Sequence, residues 1–103
     1  MAHLNWTDQA IADLTNIAEF IRKDSAKYAK ITVQRIRASA RQISQFPFSG
    51  RIVPETEIKI LRETIIGNYR LIYKIVSNER VDIITVFHSS KQLDNEEMKK
   101  HAH

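Results

Sequence analysis

The sequence predicts a two-layer α+β fold with the element order strand, helix, helix and three strands. Apolar residues recur at spacings of three and four through residues 8–45, which is the pattern of amphipathic helices. Residues 57–87 are instead rich in Ile, Val, Thr and Tyr, as β-strands are. Pro47 separates the two regions because proline cannot continue a helix.

A short strand and a first helix are predicted at the start of the chain. Leu4 and Trp6 alternate with polar neighbours over residues 2–6, which is typical of a strand. Thr7 is a suitable N-cap for the helix that follows, and we expect this helix to end near residues 23–25. Its apolar face is formed by Ala10, Leu14, Ile17 and Ile21.

A second and longer helix is predicted over about residues 25–45. The short break before it indicates two antiparallel helices, that is, a helical hairpin. Its buried stripe is expected to contain Ala29, Val33, Ile36, Ala40 and Ile43. Its other faces are basic, with Lys27, Lys30, Arg35, Arg37 and Arg41, and no acidic residue follows Asp24 before Glu55. Such a face is either solvated or a binding surface for an acidic partner.

Three strands are predicted after a loop at residues 47–54, and they span residues 57–66, 69–76 and 81–87. Gly67 and Asn68 form a good two-residue hairpin turn, and residues 77–80 make a second tight connection. The last two strands are apolar on both faces, as central strands are. The polar tail at residues 93–103 is expected to be frayed or disordered.

The bulk composition predicts one domain over residues 1–103. The chain has no cysteine, which fits a reducing cytoplasm and excludes disulfides and thiolate metal sites. No apolar run approaches the roughly 20 residues of a membrane span, and no signal peptide is evident. A net charge of +4 favours acidic partners. Neither a metal site nor a glycine-rich phosphate loop is recognisable, so no cofactor is expected.

Arginine, tyrosine, histidine and lysine side chains interrupt the predicted strands. Arg70 lies in a central strand that otherwise has little room for charge, and we expect its guanidinium to point out from the side of the sheet that the helices leave uncovered. There it could bind phosphate or carboxylate oxygens. Tyr69 and Tyr73 alternate with Arg70 and are expected in the core with their hydroxyls at its rim.

The positions of Arg62 and His88 relative to Arg70 depend on strand register. A two-residue turn pairs Arg62 with Tyr73, which puts Arg62 and Arg70 on opposite faces, whereas a bulge would bring them together. His88 should lie across from Tyr69, as a general base or in a structural hydrogen bond. Lys91 could bind an anion or be solvated.

Six motifs along the chain, taken together, resemble the ParE/RelE superfamily of toxins from type II toxin–antitoxin modules, also called plasmid stabilisation proteins. The first two are Trp6-Thr7 with Ala10, Asp13-Leu14 and Ile17, and Phe46-Pro47 with Gly50-Arg51. The others are Val53-Pro54-Glu55, Arg62-Glu63, Tyr69-Arg70-Leu71-Ile72-Tyr73, and Val86-Phe87-His88-Ser89-Ser90-Lys91.

The resemblance implies an antiparallel sheet whose first strand pairs with the last, with the helical hairpin on one face. It also implies a cytoplasmic toxin that a cognate antitoxin wraps and silences. One branch of the superfamily inhibits DNA gyrase, and the other cleaves mRNA on the ribosome. The segment from Pro47 to Glu55 is closer to the gyrase-directed branch. A domain that has lost its toxicity is a third alternative.

For a nuclease, the resemblance implies that Arg70, with Arg62 or Lys59 and with Lys91, would stabilise charge on the phosphate. No tyrosine follows Tyr73, so His88 would have to move the proton. The catalytic candidates are therefore Arg62, Arg70, His88 and Lys91. For a gyrase inhibitor, the target-binding candidates are Arg51, Arg62, Arg70, His88 and Lys91. An acidic antitoxin would be recognised by Arg35, Arg37 and Arg41, in the groove beside the helical hairpin or at a sheet edge.

Overall fold

The computed structural model describes residues 1–91, and its elements follow the predicted order with one addition. Strand β1 spans His3–Trp6, helix α1 spans Asp8–Arg22 and helix α2 spans Ala26–Gln45. A 3₁₀ turn at Pro47–Ser49 leads into the two-residue strand β2 at Arg51–Ile52. Strands β3, β4 and β5 follow at Leu61–Ile66, Tyr69–Ser77 and Arg80–His88. The tail for which fraying is predicted lies outside the described residues.

The five strands form one sheet in the order β1-β5-β4-β3-β2. The sheet is mostly antiparallel, which confirms the predicted fold class. Strand β1 pairs with β5, as the resemblance implies, but these two strands run parallel. Parallel strands need a long crossover between them, and the chain through both helices and the later strands provides it.

The region between α2 and β3 differs most from the prediction. Residues 51–52 form a strand where a loop is predicted. The sequence does not reveal this strand because two residues are too few to show an alternating pattern. Strand β3 begins at Leu61 rather than at residue 57. Glu57 has a φ of 57°, in the left-handed region, and this conformation interrupts an extended chain before β3.

The start of α1 is hydrogen-bonded to the sheet as well as capped. The hydroxyl of Thr7 accepts a hydrogen bond from the backbone N–H of Ala10 at 3.2 Å, as predicted for an N-cap. The same hydroxyl lies 2.7 Å from the carbonyl of Ile83 in β5, to which it can donate. Further along the helix, the carboxylate of Asp13 accepts a hydrogen bond from the backbone N–H of Val86 at 3.1 Å. Helix α1 is therefore held in place over β5.

The helical hairpin covers one face of the sheet, and the main core lies between these two layers. The predicted helical stripes, except Ile21 and Ala29, supply the helical side of this core. On the sheet side, every second residue of β4 points into it. Its buried members are Ala2, Ala10, Leu14, Ile36, Ala40, Ile43, Leu71, Tyr73, Ile75, Val81, Ile83 and Val86.

We call the opposite side of the sheet the open face, because no helix covers it. A smaller core of Val53, Leu61, Ile72 and Ile84 lies there, with Ile58 and Phe87 packed against it. The segment 53–60 thus covers part of the open face. Within residues 1–91, neither helix has the length and the hydropathy that a membrane crossing requires.

Candidate functional site

The two-residue turn at Gly67 and Asn68 fixes the register of the β3–β4 hairpin. Gly67 has a φ of 58°, and the residues that flank the turn, Ile66 and Tyr69, are paired. Arg62 is consequently paired with Tyr73, as predicted from the turn length. Because side chains alternate between the faces of a strand, Arg62 and Arg70 lie on opposite faces of the sheet. The alternative of a shared arginine site is therefore wrong.

Arg70 belongs to the open face, but the expectation that its guanidinium is exposed is wrong. The residue is only 7% exposed. Its Nη1 and Nη2 donate to the two carboxylate oxygens of Glu55, each at 2.8 Å. Its Nε and Nη2 donate to Glu63 at 3.2 and 2.5 Å. The hydrogen bonds to Glu55 above all, and then those to Glu63, raise the pKa of Arg70 despite its burial, so it stays charged.

Glu63 and Arg51 complete a cluster of four charged residues with Arg70 and Glu55, which we call the open-face cluster. Strand β2 pairs Arg51 directly with Glu63, and Nη2 of Arg51 donates to Oε2 of Glu63 at 3.1 Å. The Glu63 side chain is fully buried, whereas that of Arg51 is 62% exposed. Only one side of the cluster is therefore open to a partner.

A groove of about 360 Å³ lies beside the open-face cluster. It is lined by Arg51, Pro54, Glu55, Ile65, Arg70, Ser89 and Lys91. Lys91 is exposed, and its backbone N–H donates to the carbonyl of His88 at 3.0 Å. Three of the five predicted target-binding residues, Arg51, Arg70 and Lys91, thus meet at one groove.

Arg62 binds the chain's own backbone on the other face of the sheet. Its Nη1 donates to the carbonyl of Gly50 at 3.1 Å and its Nε to that of Lys59 at 2.8 Å. Its guanidinium carbon lies 5.1 Å from the ring centre of Phe48. Arg62 therefore positions the 3₁₀ turn and the loop before β3, and it does not join the groove.

Tyr73 lies in the main core, as predicted, and its hydroxyl holds the same turn. The hydroxyl donates to the carbonyl of Pro47 at 2.7 Å and accepts from the backbone N–H of Gly50 at 3.0 Å. Burial is the main cause that raises the pKa of this phenol. A Cβ on Gly50 would lie 2.5 Å from the hydroxyl oxygen, so only glycine fits this close approach.

His88 lies across from Tyr69, as the register predicts, and hence on the face opposite to Arg70. The two rings meet edge to face, with their centroids 5.9 Å apart. Nδ1 of His88 accepts a hydrogen bond from the backbone N–H of Ser90 at 3.2 Å and lies 2.8 Å from its hydroxyl. These contacts correspond to the predicted structural hydrogen bond at a strand end.

A second groove, of about 940 Å³, runs between α1 and α2 on the helical layer. Its floor is apolar, with side chains such as Leu14 and Val33. Its charged lining residues are the basic Arg22, Lys30 and Arg37 and the acidic Glu19. Of the predicted antitoxin-binding residues, only Arg37 lines this groove, while Arg35 and Arg41 are exposed elsewhere on α2.

Sequence reasoning missed Glu55 and Arg22 as functional candidates, and it named Lys30 only as one of the basic residues of the second helix. Lys30, Gln34 and Arg37 are separated by four and three residues, so the helical period shows that they share one face. Arg22 lies near the end of α1 and becomes a neighbour of that face only through the hairpin. No local pattern points to Glu55, because it lies in a turn and its partner Arg70 is 15 residues away in β4.

Taken together, the described residues form one groove on the helical layer and another on the open face. The helical groove combines an apolar floor with a basic rim, which suits an amphipathic helix with acidic residues. The groove of the open face has cationic donors that suit carboxylate or phosphate oxygens. Within residues 1–91, no group of three or more histidine, aspartate or glutamate residues is arranged to hold a metal ion.

Comparisons with known proteins agree with this architecture. Residues 4–93 match the family model described as ParE toxin of type II toxin-antitoxin system, parDE. Toxin RelE2 of Caulobacter vibrioides is 30% identical over 91 residues, which is 88% of this chain and 99% of that protein. Y4kP of Sinorhizobium fredii is 30% identical over 89 residues, which is 86% of this chain and 90% of that protein.

A solved structure also matches over most of its length. A chain of the chromosomal ParDE toxin–antitoxin system from P. aeruginosa superposes with a TM-score of 0.69, covering 85% of this chain and 96% of that chain. The identity is 22%, so this likeness bears on the fold alone.

Proposed function

Because the chain belongs to the ParE toxin family of type II toxin–antitoxin systems, we propose that it arrests growth by binding and inhibiting DNA gyrase. A toxin of such a system has a cognate antitoxin as its partner, and the antitoxin neutralises it. The proposed mode of action is occupation of a protein surface, which requires complementary shape and charge and no catalytic group.

The observation that carries this proposal is the separation of the residues that a nuclease would use. Arg62 lies on the helix-covered face with its guanidinium bound to backbone carbonyls. His88, the candidate for proton transfer, lies on the same face as Tyr69 and pairs with Ser90. Arg70 lies on the open face between two carboxylates. A phosphate therefore cannot contact all three groups at once, which favours binding over cleavage.

The proposed target surface is the groove of the open face, with Arg51 and Lys91 as its exposed cations. Their side chains are available without any rearrangement of the core. Arg62 and His88 are not part of this proposed surface, because their side chains lie on the helix-covered face of the sheet.

A supercoiling assay tests the proposal directly. The purified chain should block supercoiling of relaxed plasmid by DNA gyrase, and Lys91→Gln should weaken the inhibition at least several-fold. Arg80→Gln is the matched control, because Arg80 is an exposed arginine paired with Asp82 at the start of β5, away from the groove lining. Full supercoiling in the presence of a molar excess of the chain would contradict the proposal.

Ribosome-dependent cleavage of mRNA is the second candidate, and the relative named RelE2 is the observation that keeps it in view. Primer extension on mRNA from cells that express the chain should reveal no new cuts if gyrase is the target. Site-specific cuts that disappear in His88→Gln would establish the nuclease instead. Normal growth on expression without an antitoxin would contradict both candidates and support the non-toxic alternative.

For the antitoxin, we propose an amphipathic helix with acidic residues that lies in the groove between α1 and α2. The apolar floor would take its hydrophobic face, while Arg22, Lys30 and Arg37 would pair with its carboxylates. Of the predicted set Arg35, Arg37 and Arg41, only Arg37 lines this groove, and a role for Arg35 and Arg41 stays a prediction.

Reversing the charge of one arginine at a time tests whether the antitoxin binds in the groove between α1 and α2 or on the basic face of α2 outside it. By calorimetric titration with the cognate antitoxin, Arg37→Glu should weaken binding at least tenfold, because a repulsive charge then faces the acidic helix. Arg35→Glu changes the same charge on the same helix outside the groove lining, and it should have little effect. Equal losses for the two variants would show that the antitoxin responds to overall charge and not to the groove.

A further inference from the structure

The guanidinium of Arg70 is held on its inner side by residues of the neighbouring strands. Glu63 of β3, whose side chain is fully buried, accepts hydrogen bonds from its Nε and Nη2. The ring of Phe87 in β5 lies 5.3 Å from its Cζ. Since both partners belong to the sheet, they fix the plane and the direction of the guanidinium.

The outer edge of the same guanidinium is held in a different way. Nη1 and Nη2 face the two carboxylate oxygens of Glu55, each at 2.8 Å, which is the forked geometry of an arginine–carboxylate pair. Glu55 lies in the turn that links β2 to β3, and its side chain is 17% exposed. It is also a wall of the open-face groove. Of the two carboxylates bound to Arg70, that of Glu55 is therefore accessible from the groove, whereas that of Glu63 is buried in the sheet.

The rim of the groove adds further positive charge. Arg51 and Lys91 both line it and both are exposed. Arg70, Arg51 and Lys91 thus provide three basic side chains, against the two carboxylates of Glu55 and Glu63, of which Glu63 is buried. A further carboxylate that entered the groove would meet the two exposed cations of its rim.

We propose that the outer edge of Arg70 is a carboxylate-binding site that Glu55 occupies in the free chain and that an acidic side chain of the protein target takes over on binding. The inference rests on the proposed function, because the incoming carboxylate is assigned to the target. When the carboxylate of the target replaces that of Glu55, Arg70 still donates its hydrogen bonds to carboxylate oxygens. Because Arg70 is already out of water, the target does not have to desolvate it.

In this arrangement Arg51 and Lys91 guide the incoming carboxylate, and Glu55 moves to the solvent side of its turn. Glu55 also prevents Arg70 from binding unrelated anions in the free chain. The site is therefore selective for a partner that brings both an acidic side chain and a surface that fits the groove.

The test measures anion binding by replacing Glu55 without changing its shape. Succinate, a free dicarboxylate, is titrated while the Nε–Hε signal of Arg70 is followed by NMR. Glu55→Gln should bind succinate at least tenfold more tightly than the wild type, and adding Lys91→Gln should reverse most of this gain. Glu57→Gln is the matched control, since Glu57 is an exposed acid in the same segment and does not line the groove. Equal affinities for Glu55→Gln and Glu57→Gln would overturn the inference.

A measurement on the wild-type chain covers the case in which Glu55→Gln does not fold. As succinate saturates the site, the carboxyl ¹³C signal of Glu55 should move toward that of a solvated glutamate, while the signal of Glu63 should stay in place. A stationary Glu55 signal at saturation would overturn the exchange. If either protein instead binds inorganic phosphate tenfold more tightly than succinate, the ligand is a nucleic-acid phosphate and the assignment to a carboxylate is wrong.

The supercoiling assay separates this inference from the proposed function. Tighter succinate binding together with unimpaired gyrase would retain the site on Arg70 and reject gyrase as the target. Inhibition of gyrase by a chain whose Glu55 is never displaced would reject the exchange and retain the gyrase proposal.

Discussion

Replacing Arg70 by methionine tests whether the open-face cluster holds segment 53–60 against the sheet. Methionine keeps an unbranched apolar stem but removes the guanidinium. Glu63 would then be a fully buried carboxylate whose remaining partner in the cluster is the exposed Arg51. Glu55 would lose its forked pair, and with it an attachment between the turn and β4.

The expected cost follows from the burial of these charges. Removing one partner of a buried ion pair destabilises a protein by about 3–5 kcal/mol, because the other charge is left without compensation. Since small domains are stable by only about 5–15 kcal/mol, this loss is a large fraction of the total. At about 4–8 °C per kcal/mol for a chain near this size, the melting temperature should fall by roughly 12 °C or more.

Urea and thermal unfolding followed by circular dichroism measure this loss. Arg80→Met is the control, because Arg80 also pairs with a carboxylate, that of Asp82, but on the surface, where ion pairs stabilise little. Combining Arg70→Met with Glu63→Leu should recover part of the lost stability, since no charge then stays buried without a partner. If Arg70→Met proves no more destabilising than Arg80→Met, the cluster does not hold the segment and the reasoning is refuted.

The other predictions concern the turn that Tyr73 supports and the start of α1. Tyr73→Phe should lower the free energy of unfolding by about 2 kcal/mol in urea titrations, because the buried N–H of Gly50 loses its acceptor. Burial raises the pKa of the Tyr73 hydroxyl, so as the pH rises above about 10 the unfolded chain loses the hydroxyl proton before the folded chain does. The stability of the wild type should therefore fall more steeply with pH than that of Tyr73→Phe. Parallel profiles of stability against pH would contradict this. Gly50→Ala should destabilise the fold, since its Cβ would lie 2.6 Å from the carbonyl oxygen of Glu63; an unchanged melting temperature would show that the turn can shift. Thr7→Ala should lower the free energy of unfolding by about 1–2 kcal/mol, because it removes both the cap of α1 and the hydrogen bond to Ile83. Ser25→Ala removes only the cap of α2, so an equal loss for the two variants would mean that the bond to Ile83 adds no stability.

The helices and the β3–β4 hairpin could be predicted because local patterns specify them. Thr7 caps α1, and the apolar residues of α1 and α2 recur with the helical period. Gly67 and Asn68 set the register, and alternation of side chains along a strand then separates Arg62 from Arg70. The tight connection at residues 77–80 likewise predicts that His88 of β5 lies opposite Tyr69 of β4, as it does in the structure.

The environment of Arg70 could not be predicted in this way. Its burial depends on strand β2 and on the turn that carries Glu55, which come from a region with no periodic pattern. A cation in a central strand predicts a surface group, but a buried cation that is paired with two carboxylates is equally compatible with such a strand.

For the groove between α1 and α2, the sequence predicts a basic helix but not which of its basic residues line the groove. That choice depends on the packing of α1 beside α2, which brings Arg22 next to Lys30 and Arg37. Short-range patterns thus determine the elements, their buried faces and the register of a tight hairpin, because backbone geometry acts over a few residues. Only the assembled chain decides which distant charges are neighbours, because an ion pair forms wherever packing brings opposite charges together, at any separation along the sequence.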